Sequence, residues 1–418
     1  MKILTIVTST SGGAGRAAFR IHQGLIKYHI NSQMLVLSSD KNDKTISKVS
    51  NFKHSQNKFL SKIFYFIKRN IIEYFDKIQW NKYPKKESVF LSDLRKSHIG
   101  NLLSKINFDI LHIHWVSEGY INFKELRKIN KPIVWTIHDC YPFTGICHYF
   151  ETCDKYLTFC HKCQILHSTR KKDLSYKVFN QKKARYKYLD LHIVSPSQWL
   201  SNIVQESFLL RNRPINVIPN TIDIELFYPI SKKIAKKAMM LQTNKKYILF
   251  GAISSLNDKR KGFSFIKQII PMLINNNIEL LVFGNNGEEI IDSKIKVTYL
   301  GNIDNDNYLR LVYSAADLLV VPSMYENLPN TIMESLSCET PVVAFNIGGN
   351  KDMVDHKKNG FLATPYDVDN LYEGIEWCLS NNQGNLLGKN GRIKIMRFSS
   401  EEVIIPQYID VYSAVHRG

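Results

Sequence analysis

No apolar run in the 418-residue chain approaches the roughly 18 residues that a membrane-spanning helix requires. The opening MKILTIVTST lacks the apolar core and small-residue cleavage site of a secretory signal, so the expected location is the cytoplasm. No internal repeat or low-complexity tract competes with a globular reading. Acid is in short supply: 37 Asp and Glu face 56 Lys and Arg, a formal net charge of +19. Such an excess calls for nucleic acid, anionic lipid or a phosphate-bearing substrate. No recognised nucleic-acid-binding module accompanies it, so the expected partners are the other two and not nucleic acid, with a basic nucleic-acid-binding protein as the less favoured alternative.

What is present is the composition of a folded protein. The apolar fraction is 44%, ordinary for globular chains, and the length exceeds one usual core, so two domains are expected. KILTIVT, QMLVLS, DILHIH, PIVWTIH, LHIVSPS and INVIPN read as strands of a first parallel sheet, separated by helical patterns. After a lysine-rich stretch, residues 230–246, the alternation resumes with YILFGA, IELLVFG, KVTYLG, DLLVVPS and TPVVAF. Strands this apolar are buried on both faces. The pattern predicts two Rossmann-like, doubly wound α/β domains in series. Their expected bounds are 1–225, with a cysteine-rich insertion at 140–165, and 226–398; the closing helical segment 399–418 is expected to pack back on the first domain.

Ligands of open parallel sheets lie beyond the carboxyl ends of the strands, and there the chemistry-bearing residues collect. After the first strand, TSTSGGAGRAAF enters a helix, where Gly12, Gly13 and Gly15 can form an anion cradle of backbone amides. Gly13, Gly15 and Ala18 also match the dinucleotide spacing G-x-G-x-x-A. Against that reading, several residues separate strand from glycine, and Asp40 comes late for the acid that should close the second strand. In NDKRKGFSFI, Arg260 and Lys261 precede a glycine and a helix, which suits either a diphosphate or an ordinary basic turn. PSMYENLPNTIMESLSCETPVVAFNIGG sets Glu326 in a loop and Glu334 eight positions later, where a helix begins. On pattern alone these are ligand-binding carboxylates or solvated acids at a helix entrance. His138 ends a strand in VWTIHDCYPFTG, where an imidazole can bond a sugar hydroxyl or rest satisfied in the core; His114 in LHIHW has the weaker claim.

VIPNTIDIELFYP, KRKGF, AADLLVVPSMYENLPNTIMESLSCETPVVAFNIGG and DMVDHKKNGFLATP together resemble the family-four glycosyltransferases. These are retaining enzymes of GT-B fold, with two Rossmann-like domains facing a crevice. The resemblance runs from the Gly12 loop to about Tyr366, and WTIHDCYPFTGICHYF is similar to a bacterial branch that builds capsular and extracellular polysaccharides. It implies transfer of a hexose from a nucleotide-diphosphate sugar to a lipid-linked saccharide, with no catalytic metal. It also implies roles. Glu334 would bond the ribose hydroxyls, Glu326 the donor sugar near its reacting carbon, and Lys261 the diphosphate; amides around Leu328, Asn330 and Thr331 would meet the phosphates; and His138 would fix the donor. Two departures stand out. Ala252 follows Gly251 where the family often has arginine, which leaves Arg260 to supply the charge, and Glu339 occupies a frequent glycine position. A GT-B-shaped epimerase or phosphorylase would share the fold, although the cofactor lysine of the latter is not evident.

Four of seven cysteines, Cys147, Cys153, Cys160 and Cys163, lie in CHYFETCDKYLTFCHKC. Thiols in the cytosol stay reduced, so the cluster reads as a structural zinc site, with His148 and His161 as spare ligands; free thiols in a lid and a redox pair are the alternatives. Cys140, Cys338 and Cys378 read as packing residues. Asn51 to Lys86 interleaves aromatics with nine Lys or Arg and two acids. Phe59, Ile63, Phe66 and Ile67 fall at helical spacing among Lys58, Lys62, Lys68 and Arg69. The expected partner is an anionic membrane, met peripherally on its inner face; a solvated basic helix with a core face is the alternative.

Overall fold

The computed structural model describes residues 1–50, 81–83, 99–116, 120–251, 258–273, 277–284, 295–382 and 385–417. Apart from 81–83, the basic segment Asn51 to Lys86 lies outside them, and so does Ala252. The described residues form two compact units, each built on a wholly parallel sheet.

The first unit takes residues 1–196, 200–218 and 407–418. Its strands are β1 (Lys2–Ser9), β2 (Asn31–Ser38), β3 (Ile46–Lys48), β4 (Ile110–Ile113), β5 (Ile133–Thr136), β6 (Leu191–Ser195) and β7 (Ile215–Val217), in the order β3-β2-β1-β4-β5-β6-β7. The reversal of order beside β1 is a topological switch point. The helix Gly12–Lys27 returns over the sheet with Ala17, Ala18, Ile21 and Leu25 buried, an apolar stripe at three- and four-residue spacing. Gly15 makes that approach possible, since a Cβ there would overlap the Ser9 carbonyl.

The second unit takes residues 197–199 and 219–406. Its strands are β8 (Lys246–Gly251), β9 (Ile278–Phe283), β10 (Val297–Tyr299), β11 (Leu318–Val321), β12 (Val342–Phe345) and β13 (Gly360–Ala363), in the order β10-β9-β8-β11-β12-β13. Successive residues of β8, β9, β11 and β12 enter different cores. Leu249, Leu281, Leu319, Val342 and Ala344 join one cluster. Ile248, Phe250, Leu280, Val282, Leu318, Val320, Val343 and Phe345 join the other. This period of two, apolar on both faces, is the signature of a buried parallel sheet.

The sequence pattern and the structure differ at two short strands. The short strands β3 and β13 were not distinguished by pattern, because three or four residues at a sheet edge carry too little periodicity. Asn220 and Ile222 are tied into the second unit: Asn220 Nδ2 donates to Asn330 Oδ1, and Ile222 bridges Ser400 and packs in its core. The closing helix, Glu401–Arg417, begins in the second unit and continues in the first, where Tyr412 Oη lies 2.7 Å from His112 Nδ1.

Candidate active site

In the second unit the residues singled out by sequence meet at loops that follow β8, β11 and β12. Asp258 caps the turn Lys259–Lys261 by accepting from the Arg260 amide at 3.0 Å. Gly262 then takes φ +75°, which other residues adopt only with strain, and a Cβ there would overlap the Pro322 carbonyl. The Met324 amide donates to the Arg260 carbonyl at 2.7 Å. These contacts fasten the basic turn to the loop after β11.

That loop is held from its other side as well. Gly348, at φ +52°, and Gly349 follow β12, and side chains there would overlap the carbonyls of Glu326 and Asn327 respectively. Ser197 Oγ donates to Asn327 Oδ1 at 2.6 Å, and Asn220 Nδ2 donates to Asn330 Oδ1 at 3.2 Å. The result is a loop whose backbone is gripped at Pro322, Met324, Glu326 and Asn327 before the chain enters the helix Asn330–Ser337.

Glu326 is 8% exposed, and its carboxylate pairs with Lys261 Nζ while accepting from Ser323 Oγ at 3.2 Å. Such a pair satisfies both charges where neither is fully hydrated. Glu334 lies one turn into the helix, 2% exposed, and accepts from Tyr313 Oη at 3.0 Å. The two glutamates are therefore buried and partnered, not solvated. Asn330 and Thr331 stand half-buried at the helix entrance, while the Leu328 side chain is packed in the core. Arg260 forms a two-pronged pair with Asp258, Nη2 to Oδ2 at 2.7 Å and Nε to Oδ1 at 3.1 Å. Its guanidinium is thus already engaged beside Lys261.

In the first unit, Gly12 begins the helix after β1 at φ +80°, and a Cβ at Gly12 or Gly13 would meet nothing within 4 Å. Both glycines border open space. His138 follows β5, and its Nε2 lies 2.9 Å from His114 Nδ1. Burial drives His138 down to about 4, against a smaller upward pull from Asp139, so the ring is neutral at pH 7. Burial works to raise Asp139, but His148, with the Tyr141 amide and Trp115, holds it below its usual value; His148 Nδ1 and Asp139 Oδ2 are 2.5 Å apart, and Trp115 Nε1 donates to the same oxygen at 3.0 Å.

All seven cysteines are free. Cys147 and Cys160 are buried, Cys153 and Cys163 half-buried. Among the described residues no three His, Cys, Asp or Glu side chains are grouped to hold a metal ion. His148, a spare ligand by sequence, has its Nδ1 committed to Asp139. Hydrogen bonds also fasten the loop: Lys182 Nζ donates to the carbonyls of Tyr141 at 2.5 Å and Thr144 at 3.1 Å.

Sequence reasoning missed the partners rather than the principals. Ser323 lies three residues from Glu326 in the same loop, whereas Tyr313, in the helix Asp306–Ala315 before β11, and Asn220, 110 positions before Asn330, reach the site only through the fold. The paired glycines in FNIGG did offer a signal, a backbone approached closely.

Comparison with known proteins follows the same lines. The family model described as Glycosyltransferase Family 4 matches residues 11–226, just over half of the chain. The model described as Glycosyl transferases group 1 matches residues 247–381. Over 311 residues the chain is 24% identical to the UDP-Gal:alpha-D-GlcNAc-diphosphoundecaprenol alpha-1,3-galactosyltransferase of Escherichia coli, covering 71% of this chain and 72% of that one. It is 25% identical over 284 residues to the putative colanic acid biosynthesis glycosyl transferase WcaC of Escherichia coli K12, covering 64% and 66%. Among solved structures, sucrose-phosphate synthase of Thermosynechococcus elongatus matches with a TM-score of 0.66 at 18% identity, covering 99% of this chain and 98% of that one. HepE of Anabaena in complex with UDP-glucose gives 0.63 at 16%, covering 99% and 100%. At such identities the structural likeness is one of fold, GT-B.

Proposed function

The chain belongs to glycosyltransferase family 4, and on that premise we propose that it moves a hexose from a nucleotide-diphosphate sugar to a lipid-linked saccharide during surface polysaccharide synthesis, with retention at the anomeric carbon. The observation that carries this reading is the Lys261–Glu326 pair on a loop that leads, one helical turn later, to the buried Glu334. One cation for a diphosphate, one carboxylate for a diol and one near the reacting carbon are the groups that the chemistry requires. The donor complexes of HepE support a nucleotide sugar, and the name of the Escherichia coli galactosyltransferase supports a lipid-linked acceptor.

Without donor, Glu326 serves as the counter-ion of Lys261. A bound diphosphate takes over that ammonium and frees the carboxylate to face the sugar. Glu334 receives the ribose hydroxyls, and the amides at Leu328, Asn330 and Thr331, at the positive end of the helix, receive phosphate oxygens. Arg260 reaches the diphosphate by exchanging Asp258 for a phosphate oxygen. His138 bonds a sugar hydroxyl, and Gly12 and Gly13 leave room for ligand at their helix start. The bond from the anomeric carbon to the diphosphate oxygen breaks, and the acceptor oxygen bonds that carbon on the same face. The acceptor proton passes to the departing phosphate oxygen. Lys261 and the amides stabilise the charge that develops there.

Among the described residues no helix is long and apolar enough to cross a membrane. We place the enzyme peripherally on the inner face of the membrane, where a lipid-linked acceptor is presented. Incubation with nucleotide sugars tests the function. Nucleoside diphosphate should appear only when lipid-linked acceptor is added, and product NMR should report the donor's anomeric configuration. Release independent of acceptor would favour hydrolysis or epimerisation instead. A thermal-shift screen identifies the base, since a ligand at a hundred times its Kd stabilises by about 2.7 kcal/mol.

A further inference from the structure

One face of the first sheet carries a file of buried polar rings that ends at His138. Side chains two residues apart along a strand share a face, which puts His112 with His114 on β4 and its extension, and Thr136 with His138 on β5 and its extension. His112 is fixed at both nitrogens, Nε2 lying 2.8 Å from Thr136 Oγ1 and Nδ1 2.7 Å from Tyr412 Oη. Its ring lies 4.2 Å from that of His114, centroid to centroid. The His114 carbonyl accepts from Trp135 Nε1 at 3.2 Å, which fixes the backbone there. His114 is 1% exposed, its Nδ1 bonds His138 Nε2, and its own Nε2 is buried with no hydrogen-bond partner.

Two neutral imidazoles joined by one hydrogen bond can be arranged in two ways. If His138 donates, the proton of His114 sits on Nε2, where a buried N–H goes unpaired. If His114 donates, only a lone pair goes unpaired at Nε2. Orphaned buried N–H groups are the rarer of the two. We propose that His114 is a positioning residue: its Nδ1–H donates to His138 Nε2, so that His138 carries its proton on Nδ1 and meets any partner of that edge as a donor. The inference deepens the role given to His138 above and rests on it only for the consequence in catalysis.

Imidazole nitrogen–proton correlation spectra of the full-length protein read the tautomer without any turnover. His138 should show its proton on Nδ1 in the wild type and gain the Nε2–H form in His114→Leu, which keeps bulk but has no donor. His114→Asn, whose amide nitrogen stands near the former Nδ1, should restore the wild-type signal. In transfer assays His114→Leu should lower kcat/KM by about 10- to 100-fold, as loss of an orienting partner typically does, and His114→Asn should recover most of it. In a His138→Ala background the same leucine change should cost nothing further. A wild-type His138 protonated on Nε2, or a tautomer unmoved in His114→Leu, overturns the inference. So does an equal kcat/KM loss in His114→Leu and His114→Asn, which means packing alone. If His138→Ala is fully active, the donor-binding role fails while the spectra still judge the His114 bond.

Discussion

Glu326 and Glu334 show how far a residue's role can be read from type and neighbours. Both were picked out by their spacing around a helix entrance, yet nothing local says that the first carries the ammonium of Lys261, 65 positions earlier, or that the second takes a phenol from Tyr313. Lys261 arrives because β8 lies beside β11 in the sheet, and Tyr313 because the helices before and after β11 pack together, long-range facts without a local trace. The partners sharpen what each substitution should do. Glu326→Gln keeps a group for Ser323 to bond but deprives Lys261 of its counter-ion, leaving the ammonium for the diphosphate. Nucleoside diphosphate affinity should hold or rise while kcat falls by about a hundredfold or more, the usual scale for one transition-state contact. Glu334→Gln should instead weaken the nucleotide about tenfold and leave kcat at saturation nearly intact, since a ribose contact is uniform between ground and transition states. Calorimetric titration of both variants with the nucleoside diphosphate, beside saturation kinetics, checks this. Equal affinity losses in the two would end the division of labour.

At the scale of elements, long apolar strands were legible because burial on both faces demands unbroken Val, Ile and Leu, as in LLVV of β11. β13, GFLA, was not, and neither was the grip on the loop after β11, which depends on absent side chains at Gly262, Gly348 and Gly349. Gly348→Ala puts a methyl against the Glu326 carbonyl at a φ of +52°. The strain, about 1 to 3 kcal/mol, can be relieved by moving the loop that carries Glu326. Donor turnover should therefore drop at least tenfold with a modest fall in the melting midpoint, whereas wild-type turnover would mean that the loop backbone need not be held. The cysteine loop is the converse case, a motif legible in sequence whose ligand the described residues do not cage. Its four thiols are free, and the Gly145 amide already donates to Cys160 Sγ at 3.2 Å. Structural zinc is our proposal for it. Protein purified without chelator should then hold close to one zinc per chain, and chelation should lower the melting midpoint; a metal-free protein whose midpoint ignores chelator would leave the loop to its hydrogen bonds.

For the molecule as a whole, excess positive charge and buried histidines set its response to pH and to surfaces. Burial lowers His22 to about 4 and His112 to about 3, from about 6.5 in an unfolded chain. Between those values the unfolded chain binds protons that the folded chain refuses, so the stabilisation is complete above pH 6.5 and is lost as pH falls towards 4 and then 3. At pH 5 each histidine has forfeited roughly 2 kcal/mol, and the melting midpoint should lie several degrees below its value at pH 7; an unchanged midpoint would mean that both rings protonate within the fold. The net charge of +19 calls for an anionic partner, and our proposal gives part of it to a membrane. A lipid-linked acceptor can be reached only at a membrane, and Asn51 to Lys86, although outside the described residues, concentrates nine cations and interleaved aromatics in 36 positions. Each Lys or Arg near an anionic leaflet contributes roughly 1 kcal/mol, screened by salt. Changing Lys58, Lys62, Lys68 and Arg69 together to Gln should therefore lower partitioning on to anionic vesicles by about a thousandfold while leaving nucleotide affinity alone. Sedimentation with vesicles at low and high salt measures it. Binding that is equal on neutral vesicles, or that survives the four substitutions, would remove this segment from the membrane and leave the charge to the phosphate-bearing donor.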